Sequence, residues 1–399
     1  MKGIKGYKTY SMKLKIISPT FISGGEDSRI NRSQYIYDSS NNLLKIVDER
    51  KLAKFLGKRN LLGLYYDYVT GLNDNTIEEE NKNENSINLG QWYNSISSTE
   101  KFNGDIDECI KYTIDVSNIK KNQLNDVVCF IKNIQGQPYI PGSSIKGSIT
   151  NALLVNYIYK NRNKYIDYWE EIKRESNNKK ISKWNIKNIE GRLIKEIFDY
   201  SIEGKRGKKH LYRGMSGLSI SDTSSFDRQG MKLFQRKDVT LTDEYDNLLP
   251  IFRECLVSPA EGTFKLSLDT SKLNPNLGLE SIEEIYEALQ TQFELLLGKD
   301  GVFRAFYNLD EYISFDAHAK GNIFIGGGTG YLAKTIMLAL APDKDELLKV
   351  VRNLIHRDWP VILIHKNDRI ISPRTLKVSN DEGKDILNGV CRIEVAENA

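Results

Sequence analysis

The chain has 399 residues, of which 40% are hydrophobic and 28% are charged, and its formal net charge is +4 at pH 7. This length exceeds what one small core can organise, so we expect two domains with insertions; the mildly basic charge permits an anionic partner without requiring one. The four cysteines form no CxxC pair, and no histidine lies at ligand spacing from them. The sequence therefore suggests neither a zinc site nor a disulfide framework.

The apolar segments indicate where the protein works. No run approaches the roughly 18 to 20 apolar residues that are needed to cross a bilayer. The start of the chain, MKGIKGYKTYSMKLKIISPTFISGG, interleaves lysines with apolar residues and lacks the continuous apolar core of a signal peptide. We therefore expect a cytoplasmic protein with reduced thiols and no membrane partner.

The N-terminal region predicts a strand, a hairpin and a helix. Residues 12–17 (MKLKII) alternate charged and apolar side chains, as a half-buried strand does. Residues 34–38 and 43–48 flank the turn SSNN and predict a β-hairpin. The stretch DERKLAKFLG predicts a helix with Asp48 as its N-cap and Gly57 at its end.

Two polar segments predict insertions. Residues 58–130 include the tract NDNTIEEENKNENSINLG, which cannot form a core and indicates a loop or the tip of a helical insertion. Residues 160–212 are polar as well. Strand-like sequence returns at residues 217–223 (GLSISDT), 237–241 (KDVTL) and 261–270 (EGTFKLSLDT).

The C-terminal region predicts further helices and strands. SIEEIYEALQTQFELLLGKD has apolar residues at helical spacing, with Ser281 as cap and Gly298 at the end. DELLKVVRNLIH then predicts a helix, VILIH a strand, and RTLKVS and VCRIEV a final pair of short strands. We predict an α+β fold in two halves, residues 1–225 with both insertions and residues 226–399, joined near residues 220–250.

The stretch IFIGGGTGYLAKTIMLAL at residues 323–340 has some features of a nucleotide-binding P-loop. A P-loop needs a second glycine directly before Lys-Ser/Thr, and here Ala333 precedes Lys334 and Thr335. The best later strand, residues 361–364, ends in histidine and lysine and not in an acid that could hold magnesium. A P-loop-like NTPase stays an alternative.

A second glycine loop has the same pattern. In PYIPGSSIKGSITNALL, Gly142 precedes Lys146 by four residues, as Gly330 precedes Lys334, and an apolar helix comes next. The first N–H groups of a helix lack partners and carry the positive end of its dipole, so we expect phosphate at both loops. The alternative is a capping turn with a solvated lysine. The predicted contact residues are Gly142, Ser143, Ser144, Lys146, Gly326, Gly327, Gly328, Gly330 and Lys334.

Three further features are candidates with plain structural alternatives. The turn FISGGEDSR, with Gly24 and Gly25, could meet phosphate or be an ordinary loop. Residues 156–169 alternate aromatic and cationic side chains, as base-stacking surfaces do, or form the buried face of a helix. A cationic run could follow an anionic strand or be a solvated loop; it consists of Lys205, Arg206, Lys208, Lys209, His210 and Arg213.

Four motifs together resemble the RAMP superfamily of CRISPR proteins. They are KLKIISPTFISGG, YIPGSSIKGSI, GLSISDT and IFIGGGTGYLAKT, in that order along the chain. Within the superfamily, the pattern is most similar to the family of fifth Csm subunits of type III-A effector complexes. The resemblance covers most of the chain and is weakest in the two insertions.

The resemblance implies a fold and a role. It implies two ferredoxin-like domains of the RNA-recognition type, the second degenerate, with helical insertions in the first. It implies a subunit that binds the 3′ portion of the CRISPR RNA (crRNA), caps the filament beside the adjacent backbone RAMP subunit, and assists crRNA 3′-end maturation by recruiting cellular nucleases. The loops at Gly142–Lys146 and Gly326–Gly330 should then lie against guide RNA.

The sequence predicts no enzyme activity. Metal-free RNA cleavage needs an acid and a base, most often histidine, and all four histidines, His210, His318, His356 and His365, lie in the second half of the chain. The GGDD signature of the large catalytic subunit is absent. The loop acids Asp27, Asp38, Asp222 and Asp227 have no distinguishing context. We predict no catalytic residue, metal or cofactor, and a RAMP ribonuclease acting on crRNA or target RNA is the alternative.

Overall fold

A computed structural model describes residues 6–25, 28–73, 88–99, 105–116, 119, 124–178, 183–203, 209–240, 247–306, 320–358 and 375–396. Within these ranges the chain is a mixed α+β protein, as the sequence predicts. The predicted strand VILIH and most of the Asn/Glu-rich tract lie outside the described residues.

The strands of the described residues are β1 Tyr7–Ile16, β2 Arg29–Ile30, β3 Tyr35–Asp38, β4 Leu43–Val47, β5 Ile110–Asp115, β6 Val127–Val128, β7 Tyr200–Glu203, β8 Lys209–Tyr212, β9 Leu218–Ile220, β10 Met231–Thr240, β11 Asn247–Leu256, β12 Glu261–Asp269, β13 Ile323–Phe324, β14 Thr375–Asp381, β15 Lys384–Leu387 and β16 Val390–Val395. The helices are α1 Glu49–Gly57, α2 Leu62–Asn73, α3 Leu89–Thr99, α4 Gly142–Lys160, α5 Ile166–Asn177, α6 Lys183–Phe198, α7 Ile282–Leu297, α8 Val302–Phe306, α9 Met337–Leu340 and α10 Lys344–Asp358.

The first sheet is antiparallel, with the order β13-β16-β1-β12-β9. Met12 and Leu14 of the central strand are fully buried. They lie on the same face of the sheet, because side chains two positions apart in a strand point the same way. Lys13, between them, lies on the other face and pairs with Glu261 of β12 at 3.3 Å. The alternation seen in the sequence therefore decides which face of this sheet packs on the core.

Helices α4 and α7 pack against each other and share one hydrophobic core with this sheet. Helix α7 begins at Ser281, which forms a capping box with Glu284. It ends at Gly298, whose N–H donates to Glu294 O at 2.9 Å. The predicted helix between Ser281 and Gly298 is confirmed.

The second sheet has nine strands. Its main order is β2-β6-β11-β10-β5-β4-β3, and β14 adds to β10 and carries β15. The predicted hairpin is confirmed as β3 and β4, with Tyr35 opposite Ile46. The predicted cap is confirmed too, since Asp48 accepts hydrogen bonds from the N–H groups of Arg50 and Lys51 at the start of α1. Helices α1, α2 and α3 pack beside this hairpin in a separate hydrophobic cluster.

A short connection after β1 ties the two sheets together. The Thr20 N–H donates to Leu256 O of β11 at 2.9 Å, and the Gly389 N–H, just before β16, donates to Pro19 O at 2.9 Å. Each sheet also takes strands from both sides of residue 225. The division into residues 1–225 and 226–399 therefore does not separate the sheets, and it stays a prediction.

The second predicted insertion contains helices α5 and α6 and the hairpin of β7 and β8. Tyr165 and Trp169 are 1% and 0% exposed, so they belong to the core and have no free face on which a base could stack. For these two residues the base-stacking hypothesis is wrong and the alternative, a buried helix face, is right. Tyr159 is 44% exposed and points outward.

Candidate nucleic-acid interface

The two predicted glycine loops line one open groove of about 570 Å³. Ser143 and Ser144 at the start of α4 contribute to it, together with Gly326, Gly327 and Lys334 of the second loop. The other polar lining residues are Ser23, Ser148, Asn151, Gln292 and Thr329. Among the described residues, no carboxylate lines this groove, which therefore offers neutral donors and one cation.

The start of α4 is partly occupied by a side chain. The Gly142 N–H donates to Asp222 Oδ1 at 2.8 Å, and the Ser144 N–H donates to Pro141 O at 2.9 Å. The Ser143 N–H has no partner within the described part of the chain. Helix α4 thus offers a ligand one free N–H group and two hydroxyls, which is less than the complete cradle that the sequence predicts.

Close packing explains two of the glycine positions without any ligand. A Cβ added to Gly142 would lie 2.2 Å from the carbonyl oxygen of Ile220, the last residue of β9, and a Cβ added to Gly326 would lie 2.2 Å from Phe21 O. A backbone atom cannot move aside as the end of a flexible side chain can. Both glycines are therefore required by the fold, and their presence does not by itself indicate phosphate.

Lys146 lies one turn into α4 and is half-buried. Burial lowers the pKa of its ammonium group, because desolvation disfavours the charged form. It makes no ion pair with any described residue, and it does not line the groove that contains Ser143 and Ser144. An anion that approached this side chain would recover part of the lost solvation energy.

The second loop differs from the prediction in the structure after its lysine. Leu332–Lys334 forms a single 3₁₀ turn, and the next helix is the four-residue α9. The apolar helix predicted after Lys334 is therefore confirmed only as these four residues, which do not begin at the lysine, so no helix N-terminus lies directly behind this loop. Instead, Lys334 Nζ donates to Gly326 O at 3.1 Å and closes the loop on itself.

The same geometry argues against a P-loop. A P-loop places its lysine at the start of a helix that points at the phosphates. Here Ala333 is buried, and its carbonyl oxygen accepts hydrogen bonds from Asn151 of α4 at 3.3 Å and Gln292 of α7 at 3.2 Å. The residue at the motif's second glycine position therefore anchors the loop to the helical layer.

Gly24 lies in a different groove, of about 720 Å³. Ser23 lines the first groove and Gly24 the second, so this short segment separates them. The second groove carries basic side chains that the sequence analysis did not select, namely Arg29, Arg50, Lys111, Lys132 and Arg228. Gly25 accepts a hydrogen bond from Ser28 Oγ at 2.7 Å in a tight turn.

The cationic run is only partly described. Lys205, Arg206 and Lys208 lie outside the described residues. Lys209, the first residue of β8, and Arg213, just after β8, are exposed, and neither lines the groove of Gly24 or that of Ser143. Their contribution to RNA binding stays a prediction.

Two cations that the sequence analysis missed lie against the glycine-rich loop. Arg253 of β11 stacks over the ring of Phe21 at 4.9 Å, and Lys377 of β14 lines a small cavity with Gly328 and Gly330. Each is a single cation within an ordinary strand sequence, so no local motif distinguishes it. Only the pairing of β10 with β11 and β14 brings them together.

The described residues contain no cluster of three or more metal-binding side chains. Within the same ranges, no helix combines the length and the apolar composition that a membrane-spanning helix requires.

The fold and the glycine loops define the class of protein. The family model of the RAMP superfamily matches residues 13–332, and the chain belongs to that superfamily. At the level of individual proteins, it is similar to the CRISPR system Cms protein Csm5 of Enterococcus italicus, with 22% identity over 400 residues and 97% of each chain covered. It is also similar to the protein of that name from Streptococcus thermophilus, with 24% identity over 341 residues, 83% of this chain and 80% of the relative.

Two solved structures share the fold. A chain in the cryo-EM structure of a Csm–crRNA–target RNA ternary complex of a type III-A CRISPR-Cas system superimposes with a TM-score of 0.64 at 18% identity, covering 97% of this chain and 100% of that one. The crystal structure of Csm5 from T. onnurineus superimposes with a TM-score of 0.57 at 16% identity, covering 95% and 99%. The similarity therefore extends over almost the whole length in both cases.

Proposed function

We propose that this chain is a non-catalytic RNA-binding subunit of a type III-A CRISPR Csm effector complex in antiviral defence. In this role it caps the complex at the 3′ portion of the crRNA, next to the adjacent backbone RAMP subunit. It also assists crRNA 3′-end maturation, with cellular nucleases as recruited partners. The fold is proposed to consist of two ferredoxin-like domains, the second degenerate, over residues 1–225 and 226–399.

One observation carries the RNA-binding part of the proposal. The open groove joins Ser143 and Ser144 to Gly326, Gly327 and Lys334, and within the described residues its lining contains no carboxylate. Hydroxyl, amide and backbone N–H donors with an added cation suit a phosphodiester backbone, which presents acceptors and negative charge but no donors. The full-length similarity to proteins named Csm5 supports the assignment to a Csm complex.

Three of the four loop acids named in the sequence analysis are described, and they support a non-catalytic role because each has a structural partner. Asp222 caps α4, and Asp227 accepts a hydrogen bond from the Gln229 N–H at 3.0 Å. Asp38 pairs with Lys45 at 3.3 Å. Asp27, His318 and His365 lie outside the described residues, whereas His210 and His356 lie on different elements and line neither groove.

The test is RNA binding by the purified full chain. Single-stranded CRISPR-repeat RNA is titrated across a salt series with the wild type, with a Lys146→Glu, Lys334→Glu double variant, and with ATP as competitor. We expect affinity to fall steeply with salt, because released counterions scale with the phosphates contacted. We also expect the double variant to lose binding and ATP not to compete.

Other outcomes would contradict the proposal. ATP binding without RNA binding would restore the NTPase alternative. RNA cleavage that disappears in a single aspartate variant would show a ribonuclease. For crRNA maturation, the measurement is the length of crRNA in complexes purified with and without this subunit, and identical 3′ ends in both would remove that part of the proposal.

A further inference from the structure

Arg253 is held directly against the glycine-rich loop. Its Nη1 atom lies 3.2 Å from the position of a Cβ on Gly328, and its guanidinium stacks over Phe21, whose carbonyl accepts the Gly327 N–H at 2.8 Å. Any larger residue at position 328 would therefore press on the guanidinium. The side chain is half-buried, and burial lowers its pKa.

Lys377 reaches the same part of the loop from β14. It lines a small cavity with Gly328, Gly330 and Asn388. The pKa of its ammonium group is lowered first by burial and then by nearby cations, among them Arg236 and Arg253. Lys334 acts on it in the same direction. Three cationic side chains thus contact or line the loop, namely Arg253, Lys334 and Lys377.

Asp238, a carboxylate that acts on both cations, is already occupied. Asp238 acts on the pKa values of both Arg253 and Lys377. Both of its oxygens accept hydrogen bonds from Arg236, from Nε and Nη2, at 2.8 Å each. Arg253 and Lys377 form no ion pair with any described residue, so two desolvated cations lack an anion.

We propose that Arg253 and Lys377 form an anion site on the β14 side of the glycine-rich loop, and that it holds a phosphodiester of the bound RNA strand. The inference rests on the proposed function, since the groove beside α4 takes the neighbouring part of the same strand. The RNA strand then crosses the loop at Gly326–Gly330. An arginine fork and an ammonium group are the donors that phosphate oxygens prefer, and partial burial strengthens such contacts.

The experiment compares single-stranded RNA binding by the full-length wild type, an Arg253→Gln, Lys377→Gln double variant, and a Lys272→Gln, Lys13→Gln control. The control removes the same net charge from side chains that are paired with Asp269 and Glu261 at the surface. We expect the double variant to reduce the slope of log K against log salt by about 0.7 to 1.4, equivalent to one or two phosphates, while the control keeps the wild-type slope.

A second variant separates charge from packing. Arg253→Lys keeps the charge and loses the fork over Phe21, so the salt slope should stay close to that of the wild type even if melting shows a less stable fold. If Arg253→Lys and Arg253→Gln reduce RNA binding equally, the arginine only positions the loop and the site is overturned.

The remaining outcomes are distinguishable. Wild-type RNA binding with equal slopes for the double variant and the control would overturn this site and leave the proposed function standing. If the wild type binds no RNA, the proposed function fails. In that case pyrophosphate decides: a rise in Tm for the wild type but not for the double variant supports an anion site without RNA, and no rise overturns it.

Discussion

The start of α4 and the glycine-rich loop share a glycine-to-lysine spacing but have different structures. At Gly142–Lys146 the chain enters a helix of 19 residues, and Asp222 holds its first N–H. At Gly330–Lys334 it forms a 3₁₀ turn, and the lysine returns to Gly326 O. One lysine is half-buried on a rigid helix, and the other is exposed on a loop that it closes itself.

The difference shows that one spacing can serve two kinds of contact. The α4 start is fixed by the sheet behind it and presents Ser143 in a set position. The second loop depends on its own Lys334, so a ligand that takes this ammonium group also releases Gly326 O. We therefore expect the α4 side to decide fold stability, and the loop side to decide RNA affinity.

The largest expected effect is on stability at α4. Gly142→Ala places a methyl group 2.2 Å from Ile220 O and should lower the free energy of unfolding by about 3 kcal/mol. Gly147→Ala is the matched control, because a Cβ there meets nothing within 4 Å, and the change should stabilise by about 0.5–1 kcal/mol. Urea unfolding measures both, and similar values for the two variants would contradict the packing argument.

The next effect is on affinity at the loop. Lys334→Gln removes an exposed cation from the groove and should weaken single-stranded RNA binding by about 10-fold, with little change in stability. Lys272→Gln, whose lysine pairs with Asp269 at 2.8 Å, is the control and should bind as the wild type does. Fluorescence anisotropy reports the affinities. We also expect Lys334→Gln to unfold at the same urea midpoint as the wild type, and a large loss of stability would contradict this prediction.

A smaller effect of opposite sign is expected at the α4 cap. Asp222→Asn keeps an acceptor for the Gly142 N–H and removes a negative charge beside the free Ser143 N–H, so RNA affinity should rise by about 3-fold. Asp227→Asn is the control, since it changes a similar cap outside the groove. Equal affinities for the two variants would show that no phosphate lies at this helix start.

The smallest effect is a pH dependence at Lys146. Its pKa is lowered by burial, so the unfolded chain binds this proton more tightly than the folded one, and wild-type stability should rise with pH as the lysine deprotonates. Lys146→Met lacks this contribution and should be slightly more stable than the wild type at neutral pH. The difference in free energy of unfolding between this variant and the wild type should shrink as the pH rises toward 10.5, the ordinary pKa of lysine. A difference that stays constant with pH would contradict the burial effect.

The sequence predicts the local elements of this fold well because their signals are local. The β1 alternation, the β3–β4 hairpin, the Asp48 cap and the Ser281 capping box each depend on residues within a few positions of one another. The helix predicted after Lys334 is shorter than its local sequence suggests because distant residues decide the structure there. TIMLAL is apolar enough for a helix, but Ala333 O is taken by α4 and α7, and this tertiary anchoring limits the regular helix to α9.

The sequence predicts the two loops of the candidate groove, including Lys334, but not Arg253 and Lys377 on the other side of the glycine-rich loop. Ser143, Ser144, Gly326, Gly327 and Lys334 do meet in one groove. The neighbours of the loop on its other side come from strands distant in sequence, and a strand residue such as a lysine or arginine carries no mark of its distant partners. Sheet order was therefore the missing information.

The pairing of β1 constrains when the first sheet can form during synthesis of the chain. Its two neighbours in the sheet, β12 and β16, are Glu261–Asp269 and Val390–Val395, so β1 cannot complete its pairing until both have been synthesised. The carbonyl oxygen of Phe21, a few residues after β1, also accepts a hydrogen bond from the Gly327 N–H. A nascent chain that has not yet reached β16 therefore lacks one of the two neighbours of β1, and its first sheet is incomplete.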